Sequence, residues 1–194
     1  MKAEISDKFV GYHYSNPRAY RSMQTKGIDG WTTFDFDDFA GLIPGRRFVR
    51  LGDGNSLPRE AYDGVIEGLL EPEPKSWLEN PEFPHFWEYL MHDVCRENEV
   101  MLLSFELRLE DKAYVVDRAH VERELYRESK GRRKLVRGKA FRKYWNSRIP
   151  VFEYEGGYSA PQLAIWSGIT FNRLRVEWVK PSDEVWKRVL ENNW

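Results

Sequence analysis

The chain has 194 residues, 41% of them apolar and 15% aromatic, which is enough for one sizeable core and favours a single domain over residues 1–194. Thirty Lys and Arg against 31 Asp and Glu leave a formal net charge of -1, so no global field draws the protein to nucleic acid or membrane. One cysteine, Cys95, excludes an internal disulfide framework and a cysteine-based zinc cluster; with no apolar signal core in "MKAEISDKF" and no membrane-length apolar run, a cytoplasmic protein without a membrane partner is expected.

In chain order, Phe9–Ser15 reads as a strand and Pro17–Lys26 as a helix, with proline in its first turn and Gly27 at its end. The glycines, proline and acidic-aromatic alternation of "IDGWTTFDFDDFAGLIPGRRFVRLGDGN" suggest loops around a strand at Arg47–Leu51. Leu57–Leu70 places Leu57, Ala61, Val65, Ile66 and Leu69 near helical spacing before "EPEPKSW" breaks the pattern, and Phe83–Glu97 reads as a further helix. Val100–Leu109 starts apolar and then alternates. Ala113–Asp117 follows it after the polar turn Glu110–Lys112, which predicts that the two strands pair. His120–Trp145 is charged and mostly helical in pattern, with interruptions near Gly131 and Gly138. Ile149–Gly157, Gln162–Trp166 and Leu174–Val179 read as strands, and Asp183–Asn192 as a closing helix. Strands near both ends with helices inserted early predict an α+β fold rather than an alternating parallel one.

His13 stands where the first strand meets the first helix, between Tyr12 and Tyr14. A histidine among aromatics is more often a packed, hydrogen-bonded residue than a catalyst, so its position alone says little. Its company says more. His13-Tyr14-Ser15 before a helix, "GLIP" further on, and "APQLAIWSGITFNRLRVEWV" far downstream together resemble the ADP-ribosyltransferase-like superfamily, which includes bacterial toxins, poly(ADP-ribose) polymerases and RNA 2'-phosphotransferases.

In that superfamily a first-strand His or Arg holds the NAD ribose, often in an "H-x-[ST]" signature, matched here by His13, Tyr14 and Ser15. A middle strand supplies a Ser or Tyr beside the nicotinamide. A late strand opens with a catalytic glutamate, commonly as P-E-apolar-x-apolar, then a turn and a final strand. The matching stretch is Pro161–Ile165, then Ser167–Ile169 and Leu174–Val179, with Gln162 in the glutamate's place. The resemblance implies a split, mostly antiparallel sheet with flanking helices. It implies NAD as substrate, with ADP-ribose passed to a protein or nucleic-acid target or NAD simply cleaved. It further implies that His13 and Gln162 lie on adjacent central strands around one aromatic-lined pocket, with Tyr14 and Ser15 on the same wall.

The chemistry behind the pattern is plain. Breaking the nicotinamide–ribose bond develops positive charge on the sugar, so a nearby carboxylate stabilises the transition state more than the ground state. Glutamine keeps a hydrogen bond but lacks the charge, which leaves Glu155, or Glu153 two residues before it on the same predicted strand face, as substitutes. The departure at Gln162 favours an alternative: a catalytically inactive relative that binds nucleic acid or a protein.

The local patch for such binding is "RESKGRRKLVRGKAFRKYWNSR", with ten cations and one acid. Arg132, Arg133, Lys134, Arg137, Arg142 and Lys143, interleaved with Phe141, Tyr144 and Trp145, suit phosphates and stacked bases, although a charge run is usually a solvated face. Those residues alone also allow an RNA-processing or RNA-binding protein. Arg46 and Arg47, after "GLIPG", suit a diphosphate. His85 and His92, with Asp93 and Cys95, are spaced too widely for a zinc motif, and no metal site is expected.

Overall fold

The computed structural model describes residues 8–28, 66–73, 97–120 and 138–191. The predicted strand at Arg47–Leu51, residues 57–65 of the predicted Leu57–Leu70 helix, the Phe83–Glu97 helix up to residue 96, and residues 121–137 lie outside them.

Within the described residues the chain forms β1 (Lys8–Ser15), α1 (Pro17–Lys26), β2 (Ile66–Leu69), β3 (Glu99–Arg108), β4 (Ala113–Asp117), α2 (Gly138–Asn146), β5 (Ile149–Pro150), β6 (Pro161–Ile165), β7 (Leu174–Pro181) and α3 (Ser182–Glu191). The strands make one sheet in the order β5-β4-β6-β2-β1-β3-β7. Every neighbouring pair is antiparallel, so the architecture is α+β around an antiparallel sheet.

Local chemistry accounts for the first strand–helix unit. The Asn16 side chain accepts the Ala19 amide at 2.8 Å and so caps α1, and Pro17, which has no amide to satisfy, fills the first turn. Gly27 ends the helix at φ 73°, a conformation that disfavours a side chain, and a Cβ there would collide with the Ile169 carbonyl. Ile28 and Ile169 then exchange two backbone hydrogen bonds of 2.8 Å each, which pins the helix exit to the segment before β7.

One face of the sheet carries the core: Ile66, Phe105, Leu107, Ala113, Val115, Leu163 and Ile165, closed by Ile28, Val151, Ile169 and Leu174. Gly11 and Gly68 lie on this face because a side chain at either would run into Phe105 and Leu163.

The sheet is tightly laddered except at one seam. β1 pairs β3 along its whole length, Lys8↔Arg108 to Ser15↔Met101, and β2 pairs β6 along its whole length, Ile66↔Ile165 to Leu69↔Gln162. Between β1 and β2 the register has the single pair Tyr12↔Leu69. Two ribbons, β5-β4-β6-β2 and β1-β3-β7, therefore meet along a seam that is barely laddered.

Three expectations are corrected. β3 and β4 do not pair with each other, although only residues 109–112 separate them: β3 lies between β1 and β7, and β4 between β5 and β6. The turn redirects the chain because Asp111 accepts the Arg108 amide at 2.8 Å while Arg173 grips both the Asp111 carboxylate and the Glu106 carbonyl. Ile66–Leu69, expected at the end of a helix, is a strand, and its Gly68 gives Phe105 and Leu163 room. The strand predicted over Ile149–Gly157 is confined to Ile149–Pro150 and gives way to a tight turn, Val151–Glu153. Proline at the strand's end has no amide for a ladder, which suits an edge.

Candidate functional site

His13 lies beside the seam. Its Nδ1–H donates to the Glu67 carbonyl of β2 at 2.9 Å, so an imidazole takes the place of a missing ladder hydrogen bond. That bond commits the neutral ring to one tautomer, with the proton on Nδ1 and Nε2 left as an acceptor. Burial pushes the pKa of His13 below its ordinary value, against the opposing effect of the Glu67 hydrogen bond, and so favours the neutral ring.

The three residues of the His-Tyr-Ser motif divide between the faces. His13 and Ser15 share the core face with Gly11, and Tyr14 points the other way. The Ser15 hydroxyl is buried, at 3% exposure for the residue, and has no hydrogen-bond partner among the described residues. Tyr14 is buried as well; its hydroxyl donates to the Pro72 carbonyl at 2.9 Å and its ring meets Trp178 edge-on at 5.8 Å. Tyr14 is thus a packed tyrosine and does not share a wall with His13 and Ser15.

Gln162 takes a different position from the one expected. β2 separates its strand from β1, and the aligned row Tyr12, Leu69, Gln162 puts it on the face opposite His13. It is 1% exposed, and its Oε1 accepts the Tyr144 hydroxyl at 3.3 Å. Pro161, not Gln162, is the residue at the start of β6 that shares the face of His13. Glu153 and Glu155 do not share a strand face, since the chain turns at Val151–Glu153. Both are exposed, and Glu155 runs into Gly156 and Gly157, whose φ values of 105° and 96° only glycine adopts freely.

The face away from the core holds a polar group that the sequence reading missed. Arg118, immediately after β4, reaches across to β2, where its Nη1 donates to Glu67 Oε2 at 3.2 Å. The Arg118 side chain is 4% exposed and that of Glu67 17%. Tyr144 of α2 stands over the same group: burial first, and then the charge of Glu67, drive its hydroxyl pKa far up, so it remains a neutral donor to Gln162. Arg118 is held from behind, as its amide donates to the Ala160 carbonyl at 2.9 Å and the neighbouring Asp117 Oδ1 accepts the amides of Ala119 and Ala160. A charge set within an apolar stretch, as in "GVIEGLL" and "AYVVDRAH", was the available signal.

Of the basic segment, only residues 138–148 are described, and Arg132, Arg133, Lys134 and Arg137 lie outside, as do Arg46, Arg47, His85, His92, Asp93 and Cys95. Arg142 is partly buried and Lys143 exposed. Tyr144 and Trp145, two of the aromatics expected to stack on bases, turn inward instead. Tyr144 and Trp145 are 4% and 8% exposed, Trp145 packs edge-on against Trp166 at 5.6 Å, and the Arg148 guanidinium lies 3.5 Å from the Trp145 ring centroid. A helix that turns Tyr144 and Trp145 inward and Lys143 toward solvent accounts for this arrangement.

A scan against protein-family models, a search of curated proteins and a search of solved structures each gave no match to this chain.

Proposed function

We propose that the protein binds NAD at the seam between β1 and β2 and either transfers ADP-ribose to a macromolecular target or cleaves NAD, on an ADP-ribosyltransferase-like fold. The observation that carries this reading is the state of His13: with Nδ1–H committed to Glu67, Nε2 is an acceptor for a ribose hydroxyl, and the buried Ser15 hydroxyl, which has no hydrogen-bond partner among the described residues, shares its face. The neighbouring positions of β1, β2 and β6, with little laddering at the seam, support it, because the pattern of first, middle and late strands then falls at the centre of the sheet.

In this reading Glu155 supplies the carboxylate, since Gln162 is sealed beneath Tyr144. A well-aimed charge is worth about a hundred- to a thousandfold in rate, so Glu155→Gln should suppress nicotinamide release by about that factor and leave NAD binding intact. His13→Ala should weaken NAD binding itself. Calorimetric titration with NAD and nicotinamide release by wild type and both variants form the test. Wild type that fails to bind NAD removes the reading.

The sealing of Gln162 also favours a second reading: an inactive relative that uses its cations, Arg142 and Lys143 among them, to bind nucleic acid or a protein. Binding of NAD without release in any acceptor mixture would select it. A steep loss of single-stranded RNA affinity with salt would then choose nucleic acid over protein.

A further inference from the structure

We infer that Arg118 is a positioning residue for His13: through its ion pair with the Glu67 side chain it holds the Glu67 carbonyl where the imidazole must donate, and so fixes the tautomer that leaves Nε2 as acceptor.

The chain of contacts is short. Arg118 Nη1 meets Glu67 Oε2 at 3.2 Å on one face of the sheet, and the Glu67 carbonyl meets His13 Nδ1 at 2.9 Å at the seam. β2 is four residues long and laddered to β6 along all of them, whereas toward β1 it has the single register pair Tyr12↔Leu69, so on that side the imidazole bond to the Glu67 carbonyl depends on how β2 is held from its far face. Arg118 can anchor it because its own backbone is fixed by the Ala160 carbonyl and by the two amides that Asp117 accepts. A guanidinium at 4% exposure is also an expensive way to fill space, since hydrophobic residues of similar volume usually serve stability as well or better. Geometry at the carbonyl is what the pair supplies and an apolar filler would not.

The purpose of this arrangement rests on the nucleotide reading, but its test does not. The imidazole of 15N-labelled protein reports by NMR, at a pH above its titration, which nitrogen holds the proton. Wild type should show the proton on Nδ1. Arg118→Met should shift His13 toward the tautomer mixture of an unrestrained ring, and Arg118→Lys should restore much of the wild-type signature. Arg118→Met takes a buried guanidinium away from the Glu67 carboxylate and endangers folding, so Glu67→Gln/Arg118→Met, in which both partners are neutral, is measured alongside and should show the same mixture. A wild-type spectrum in either folded Arg118→Met protein overturns the inference, whether or not NAD binds. A merely structural role for Arg118 would change stability and leave the tautomer where it is.

Discussion

The two ribbons on either side of the seam solve the burial of polar groups in opposite ways. In β1-β3-β7 the strands are eight to ten residues long and one end of the outer face is open to water, where Lys8, Glu106 and Arg108 pair at the surface and Val10 is 49% exposed. In β2, β4 and β6 the strands are four or five residues long and nearly every residue is buried on both faces. A charge in the first ribbon therefore says little about function, because water satisfies it. A charge in or beside the second must be paired, and Glu67, Asp117 and Arg118 all are. Polar residues that stay inside the short ribbon are the ones worth questioning.

The largest expected effect tests whether the long ribbon has one exception to this rule at its base. Arg173 and Asp111 form an ion pair there with side chains 10% and 6% exposed. Removing one partner of a buried pair strands the other charge, so Arg173→Met should cost about 3–5 kcal/mol in urea unfolding. Burial alone would raise the Asp111 pKa, yet the hydrogen bonds of Arg173 and the Arg108 amide, with the guanidinium charge, bring it below the ordinary value. A depressed folded pKa means that this stabilisation is complete above the unfolded value of about 4 and is lost as pH falls through the folded one. A cost no larger than that of Lys8→Ala, which breaks a pair at the surface and should be hard to detect, would erase the contrast between buried and exposed charges.

How far the sequence revealed this arrangement follows the same division. β1, α1, β3, β4, β6, β7 and α3 were legible because their signals are local: alternation, an Asn-Pro start, a glycine stop. β2 was not, since "VIEGLL" has helical spacing and becomes a strand only through Phe105, Leu163 and the β6 ladder, contacts distant in sequence. The partition of β3 and β4 between ribbons was hidden for the same reason, as Arg173 decides it from more than sixty residues away. His13 was legible as a residue of interest, and its partner was not. The motif stretch at Pro161–Ile165 led to Gln162, whereas strand alternation and the helix above it put that side chain on the far face.

Next in size is a test of the seam itself. Gly11 of β1 faces Phe105 of its own ribbon and Leu163 of the other, and a Cβ would lie 2.5 Å and 2.6 Å from their side chains. Gly11→Ala should overpack this contact and destabilise by about 1–3 kcal/mol. Backbone amide exchange should then show faster opening of β1 and β2 than of the centre of β3. Uniform acceleration would mean that the two ribbons open as one unit and that the seam has no mechanical identity. A smaller effect is expected in the short ribbon from Tyr144→Phe, which removes the donor to Gln162 and leaves a buried amide oxygen, at about 1–2 kcal/mol. No measurable loss would show that Gln162 finds another donor, and would weaken the claim that α2 seals it.

The smallest effect concerns His13 and is read as a slope rather than a loss. Burial holds its folded pKa below the ordinary value of 6.5, so between that value and the folded pKa the unfolded chain takes up a proton that the folded ring refuses. Stability must then fall as pH falls across that window, by at most about 1.4 kcal/mol per pH unit for one proton, and be complete above pH 6.5. His13→Gln keeps a donor for the Glu67 carbonyl but cannot titrate, so its urea midpoint should lose this part of the slope. The difference between wild type and variant matters, because every contribution from the rest of the chain is common to both and cancels. Parallel midpoint curves below pH 6.5 would mean that His13 is as well solvated in the folded protein as in the unfolded one. The ring would then be a surface histidine that happens to touch β2, and the seam would need another residue to explain why it stays closed with so little ladder.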